Sequence, residues 1–199
     1  MRWWWGLAGC LLLGVCASAL ADDAVAFCYN WSCKNEVEVL FVEPLLIGIK
    51  RDLALSRDAA DERERLARNI GRMYAEAAQQ TPIANDLAGN GRDSESDGRM
   101  DCIDHSTSTT RLLQLLEARG WLRWHRVLEP ARRARFILVQ HFAAQLEELP
   151  RHDDAPLADE VAEPPPARFV MDTWFVDPGQ PAVVMPLENW MRGDGPDVD

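Results

Sequence analysis

The sequence is short of several features that would classify it at once. It has no paired C-x-x-C motifs, so the common zinc-binding patterns are excluded. It has no basic block. Arg132, Arg133 and Arg135 are three positive charges in a chain of formal net charge −11, too few to hold a phosphate backbone, so nucleic acid is excluded as a partner. No internal repeat is visible. The apolar run near the N-terminus, Trp3 to Val15, is well short of the roughly 20 residues that a membrane-crossing helix needs. What is present is 199 residues, 47% hydrophobic and 27% charged, a balance suited to one globular domain with a real core.

Arg2, the apolar stretch and Ala19-Leu20-Ala21 before Asp22-Asp23 read as a secretory signal. Residues 1–21 are therefore expected to be removed, leaving 22–199 as a single domain, exported to a periplasm or beyond and without membrane attachment. Leu7-Ala8-Gly9-Cys10 looks like a lipoprotein acylation box, but only Trp3 to Ala8 precedes it, shorter than a signal's apolar region of roughly 7–15 residues. Export decides how the cysteines are counted. Cys28, Cys33 and Cys102 stay in the mature chain, and C-Y-N-W-S-C puts the first two close enough to bridge. Cys102 is then the odd thiol. The alternative is a bridge from Cys102 to Cys28 or Cys33.

The stretch around Cys102, G-R-M-D-C-I-D-H-S-T-S-T-T-R-L-L-Q-L-L-E-A-R-G, spells one well-bounded helix. Asp101 is a good N-cap, Asp104 completes a D-x-x-D capping box, and Gly120 supplies the stop. Cys102 falls in the first turn, where unpaired backbone N–H groups favour a thiolate. Cys102, Ser106, Thr109, Leu113 and Leu116 share one face, leucine and buried at its far end, small and polar beside the sulfur. A buried core cysteine is the plainer alternative to a nucleophile.

Elsewhere, Glu36 to Phe41 alternates like a strand and Pro44 to Ile49 is an apolar extension. Asp58 to Gln80 is a surface helix through Leu66, Ile70, Met73 and Ala77, ended by Thr81-Pro82. Asn85 to Gly98 is a loop, and Trp124 to Leu128 a strand. Phe136 to Leu146 is ambiguous between helix by its Ala and Gln content and strand by its Phe-Ile-Leu-Val start. Pro150 to Pro166 is an acidic, proline-rich excursion. Arg168 to Val176 is a strand with Val170, Asp172 and Trp174 on one face, and Ala182 to Met185 is another.

Cys102 at a helix start, His141 in V-Q-H-F-A and Asp172 in R-F-V-M-D-T-W-F resemble, in order and spacing, the Cys–His–Asp arrangement of the transglutaminase-like superfamily. The chain is most similar to the bacterial transglutaminase-like cysteine proteinases, over about Gly98 to Trp190. The resemblance implies an α+β domain with a papain/transglutaminase-like core, the cysteine helix packed on an antiparallel sheet, and Phe136 to Leu146 as strand. It implies Cys102 as nucleophile, His141 as general base and acid, and Asp172 as the group that orients the imidazole. The expected partner is a protein or peptide amide. Asp101 and Asp104 oppose this chemistry, because nearby carboxylates raise a thiol pKa.

Asp93, Glu95, Asp97, Gly98, Asp101 and Asp104 also fall at the spacing of a calcium loop. Glu95 is atypical there, and the preceding Gly89-Asn90-Gly91 is not the helix that an EF-hand requires. A looser site built from Asp93, Asp97, Asp101 and Asp104 is the expectation, and the resemblance implies possible calcium dependence. The chemistry itself requires no cofactor. The other functional class is a non-catalytic member of the fold that binds calcium or a partner.

Overall fold

A computed structural model describes residues 22–93, 95–135, 139–150 and 165–198. The expected signal, the first three residues of the ambiguous stretch and most of the proline-rich excursion lie outside them.

The chain begins with a hairpin, β1 (Asp23–Tyr29) and β2 (Asn35–Phe41), paired antiparallel. Val25 and Phe27 face inward with Val39 and Phe41, as period-two alternation requires. The connection is unusual. Asn30, Trp31, Ser32 and Cys33 all have positive φ, between 54° and 66°, although none is glycine. Each such residue costs about 1–2 kcal/mol. The Cys28–Cys33 disulfide closes this left-handed turn.

Residues expected to be an apolar extension instead form α1 (Glu43–Ala54). Pro44 suits the first turn of a helix, where its missing N–H costs nothing. Leu46, Ile49 and Leu53 then recur at helical spacing and are fully buried. α2 (Ala59–Gln80) begins at Asp58, whose side chain accepts the Asp61 N–H, and buries Leu66, Ile70, Met73 and Ala77. A 3₁₀ turn (Pro82–Asn85) follows.

α3 (Cys102–Ala118) has the expected capping box, and Gly120, at φ 68°, takes the left-handed position beyond its end. Leu112, Leu113 and Leu116 are completely buried, worth about 1.5–3 kcal/mol each by apolar burial.

The second sheet is antiparallel, in the order β3 (His125–Arg135), β4 (Val139–Glu148), β5 (Arg168–Asp172), β6 (Val183–Pro186), followed by the short helix α4 (Leu187–Arg192). β3 runs well past the expected Leu128. It accommodates Pro130 because the pairing slips between Leu128 and Ala131, a bulge that asks no ladder hydrogen bond of the proline. The protein is thus α+β with antiparallel sheets, and β4 settles the ambiguous stretch as strand from Val139 onward.

Both faces of the second sheet are covered. Ala144, Leu146 and Met171 join the core beneath α2 and α3. On the opposite face Ala131, Ala143 and Val170 pack under Trp190 of α4. Strand alternation places His141 with Ala143 and Asp172 with Val170 on this second face.

Candidate functional site

Cys102 is a free thiol at the first position of α3, half-buried. Asp101 caps the helix by accepting from Ile103 N and Asp104 N at 3.0 Å each, and Asp104 returns an oxygen to Asp101 N at 3.1 Å. The helix start is therefore held by a reciprocal capping box. Behind it, Gly98 has φ +96° and sits against the 3₁₀ turn so closely that a Cβ would run into the Pro82 carbonyl.

The sulfur lies at the edge of β4. β5 pairs with β4 from Glu147 to Ala144 and ends at Asp172, so the β4 backbone nearer the hairpin tip has no β5 partner. There Cys102 Sγ approaches the Gln140 carbonyl at 3.8 Å, and the Phe142 N–H also favours the sulfur's anion. These two backbone groups flank His141.

His141 Nε2 is 2.7 Å from Asp172 Oδ2. Bound to that carboxylate through Nε2, the ring keeps Nδ1 for a second partner. Its faces and edges are enclosed by Trp174, Trp190 and Phe175, with ring centroids at 4.8, 5.5 and 5.7 Å.

Asp172 is 1% exposed, a burial that is costly for a carboxylate unless it is well supplied with donors. Trp190 Nε1 donates to Oδ2 at 3.0 Å and Trp174 N to Oδ1 at 3.2 Å. The second of these folds the chain back on itself. The expected strand to Val176 therefore stops at Asp172, and Trp174 does not continue its face.

The thiol is not activated in this resting arrangement. Burial, with Asp101 and Asp172 nearby, pushes Cys102 up to about 11, against the help of the Phe142 and Cys102 N–H groups. Desolvation outweighs the helix N-terminus, so the stabilised thiolate expected from helix position alone is not the resting state.

The four carboxylates of the expected cation site are engaged with N–H groups. Asp104 accepts Cys33 N at 2.6 Å and Trp31 N at 2.8 Å, and Asp101 accepts Ser32 N at 2.9 Å. Together they bind three successive amides of the left-handed turn, which offsets its strain. Asp97 accepts Asn30 Nδ2 at 2.8 Å, and buried Asp93 accepts Leu87 N at 2.9 Å. Burial still pushes Asp104 up to about 6, opposed by the amides of Cys33 and Asp101. Among the described residues, the one convergent trio of candidate metal ligands is Cys28, Cys33 and Glu36, and its two sulfurs are already bonded to each other. Asp93, Asp97, Asp101 and Asp104 do not form such a convergent group, and Asp93 Oδ1 is buried without a hydrogen-bond partner among the described residues.

Two histidines without an expected role are also buried in pairs. His125 Nδ1 meets Glu62 at 2.8 Å, while its Nε2 accepts from Arg63 at 3.0 Å. His105 lies between Asp86 and Thr173. Burial works against charging His105, but the carboxylates of Asp86, Asp172 and Asp104 together outweigh it and the imidazole is held above its ordinary value. Trp190 and the His105 pair were not signalled by local sequence, because both act through residues distant in the chain.

No family model, curated protein or solved structure matches the chain.

Proposed function

We propose that this protein is an exported cysteine hydrolase or acyl transferase of the transglutaminase-like kind, acting on an amide of a protein or peptide through Cys102, His141 and Asp172. The observation that carries this reading is the buried His141–Asp172 contact, which leaves Nδ1 as the open nitrogen on the strand that Cys102 approaches.

Cys102 Sγ attacks the amide carbonyl carbon while His141 takes the thiol proton. The Cys102 N–H at the helix start stabilises the oxyanion. Asp172 stabilises the imidazolium, which then protonates the departing amine. The resulting thioester is resolved by water or by an acceptor amine. Because the resting thiol lies at about 11, His141 acts as a base during attack, and a standing ion pair is not required. A bridged Cys28–Cys33 pair agrees with an oxidising compartment outside the cytosol.

The same raised thiol favours a second reading, a non-catalytic member of the fold that binds a partner. The two separate on one experiment. A panel of peptide amides and amine acceptors is tested with wild type and Cys102→Ala, alongside a thiol-reactive probe. Turnover and fast neutral-pH labelling that both vanish in Cys102→Ala support the enzyme. Labelling slower than that of a free cysteine, with no turnover, supports the binding module.

A further inference from the structure

The buried polar groups that the triad does not use converge directly behind it. Asp86, 1% exposed, follows the 3₁₀ turn. Its Oδ1 accepts the Met100 N–H at 2.7 Å, just ahead of the nucleophile. Its Oδ2 lies 3.2 Å from His105 Nε2, close but poorly aligned for a hydrogen bond. The other nitrogen, His105 Nδ1, is 3.0 Å from Thr173 Oγ1, on the residue that follows Asp172. The Thr173 hydroxyl is held from two further sides, by Thr109 Oγ1 at 3.0 Å and Tyr74 OH at 3.3 Å. Tyr74 OH meets Thr109 Oγ1 at 2.9 Å and donates to the His105 carbonyl at 3.2 Å.

Fold stability alone is a weak reason for such a cluster, since a buried ion pair is often matched or bettered by apolar residues of similar volume. What polar groups add is direction. A hydroxyl gripped from three sides fixes the backbone where β5 ends, and that backbone sets where the Asp172 carboxylate points. A carboxylate that also holds Met100 N fixes the loop entering α3, and so the height of Cys102. The nucleophile and the orienting carboxylate come from segments far apart in sequence, and this cluster links the two through side chains.

We propose that Asp86 and His105 are positioning residues that set the start of the Cys102 helix against the Asp172 turn, through Met100 on one side and Thr173 on the other. This rests on the triad reading above. The two are separated by testing His141→Ala in parallel.

The test removes one hydroxyl. Thr173→Val keeps the shape and deletes the group that His105 holds, and Thr173→Ser restores it. Alkylation of Cys102 by iodoacetamide at pH 7 and thermal melting are measured for both. The expected result is a folded Thr173→Val protein that alkylates on the order of 10–100-fold more slowly, the scale of a displaced reacting group, with Thr173→Ser close to wild type. If Thr173→Val does not fold, Asp86→Asn is read in the same way, since it keeps the side-chain shape and an acceptor for Met100. A folded Thr173→Val that alkylates at the wild-type rate while His141→Ala is slow overturns the positioning role and leaves the triad standing. Equal slowing in Thr173→Ser and Thr173→Val also overturns it, because the hydroxyl is then not the cause. If His141→Ala itself alkylates normally, the triad fails and this proposal with it.

Discussion

His141 Nε2 and Asp172 Oδ2 stand 2.7 Å apart inside a sleeve of Trp174, Phe175 and Trp190, with Asp172 almost wholly excluded from water. The two residues belong to adjacent strands of one sheet, and the contact forms on the face that α4 covers. A hydrogen-bonded pair of this kind fixes the imidazole's tautomer, which makes Asp172 the most informative position to change.

Asp172→Asn keeps the shape and one hydrogen bond but removes the charge. Turnover of an amide substrate should fall by about 10²–10⁴-fold, the scale of a mis-set general base or tautomer. Steady-state kinetics on a folded variant check this. Unchanged turnover would remove Asp172 from the mechanism.

The thiol at about 11 gives a test by pH. In wild type, transfer of the proton to His141 should let Cys102 alkylate at neutral pH at least as fast as a free cysteine. In His141→Ala that route closes. Alkylation then depends on the thiolate alone, so the profile should rise only towards about 11, and the rate at pH 7 should fall by roughly 10²-fold, the scale of a lost general base. Alkylation rates from pH 6 to pH 11 decide the matter, and superimposable profiles would exclude His141 as the base.

Trp190→Phe deletes the Nε1–H that donates to Asp172 at 3.0 Å while retaining most of the ring. A buried carboxylate losing a donor should cost about 1–3 kcal/mol. Denaturant unfolding reads the loss, and turnover should drop alongside it. A variant as stable as wild type would show that the indole contributes packing alone.

Asp104 carries a pH dependence of unusual sign. Its folded pKa of about 6 lies above the unfolded carboxylate value, so the folded state binds the extra proton between about pH 4 and pH 6. Its contribution to stability is therefore fully present below about pH 4 and is lost as pH rises through 6. The stability difference between wild type and Asp104→Asn should shift against wild type over that window, as followed by urea midpoints. Because Asp101 and Asp104 are already occupied by turn amides, millimolar calcium should leave the melting temperature where chelator leaves it. A clear rise with calcium would mean that the loop rearranges to bind it.

Much of the local architecture could be read without coordinates. Asp101, Asp104 and Gly120 mark the ends of α3, and Leu66, Ile70, Met73 and Ala77 mark the buried face of α2, because caps and helical periodicity are written within a few residues. The same reasoning makes Cys28 and Cys33 partners and leaves Cys102 free. It misjudges Pro44 to Ile49, where an apolar run too short to show its period turns out to be helical once Leu53 is included.

Other features depend on contacts between distant segments. Asp101 and Asp104 look like a cation loop in sequence, yet their oxygens are taken by amides of Trp31, Ser32 and Cys33, some 70 positions earlier, with separations of 73, 69 and 71 residues. β5 ends at Asp172 because Trp174 N turns back onto its carboxylate, and Trp190 reaches that carboxylate from α4. His105 stands on the same helix as Cys102 but turns to Asp86 and Thr173 in the core. Sequence spacing determines which face of an element a side chain occupies. Sheet register and the docking of α3 and α4 decide what that face meets, because a hydrogen bond is formed between groups within about 3 Å in space, however far apart they lie along the chain.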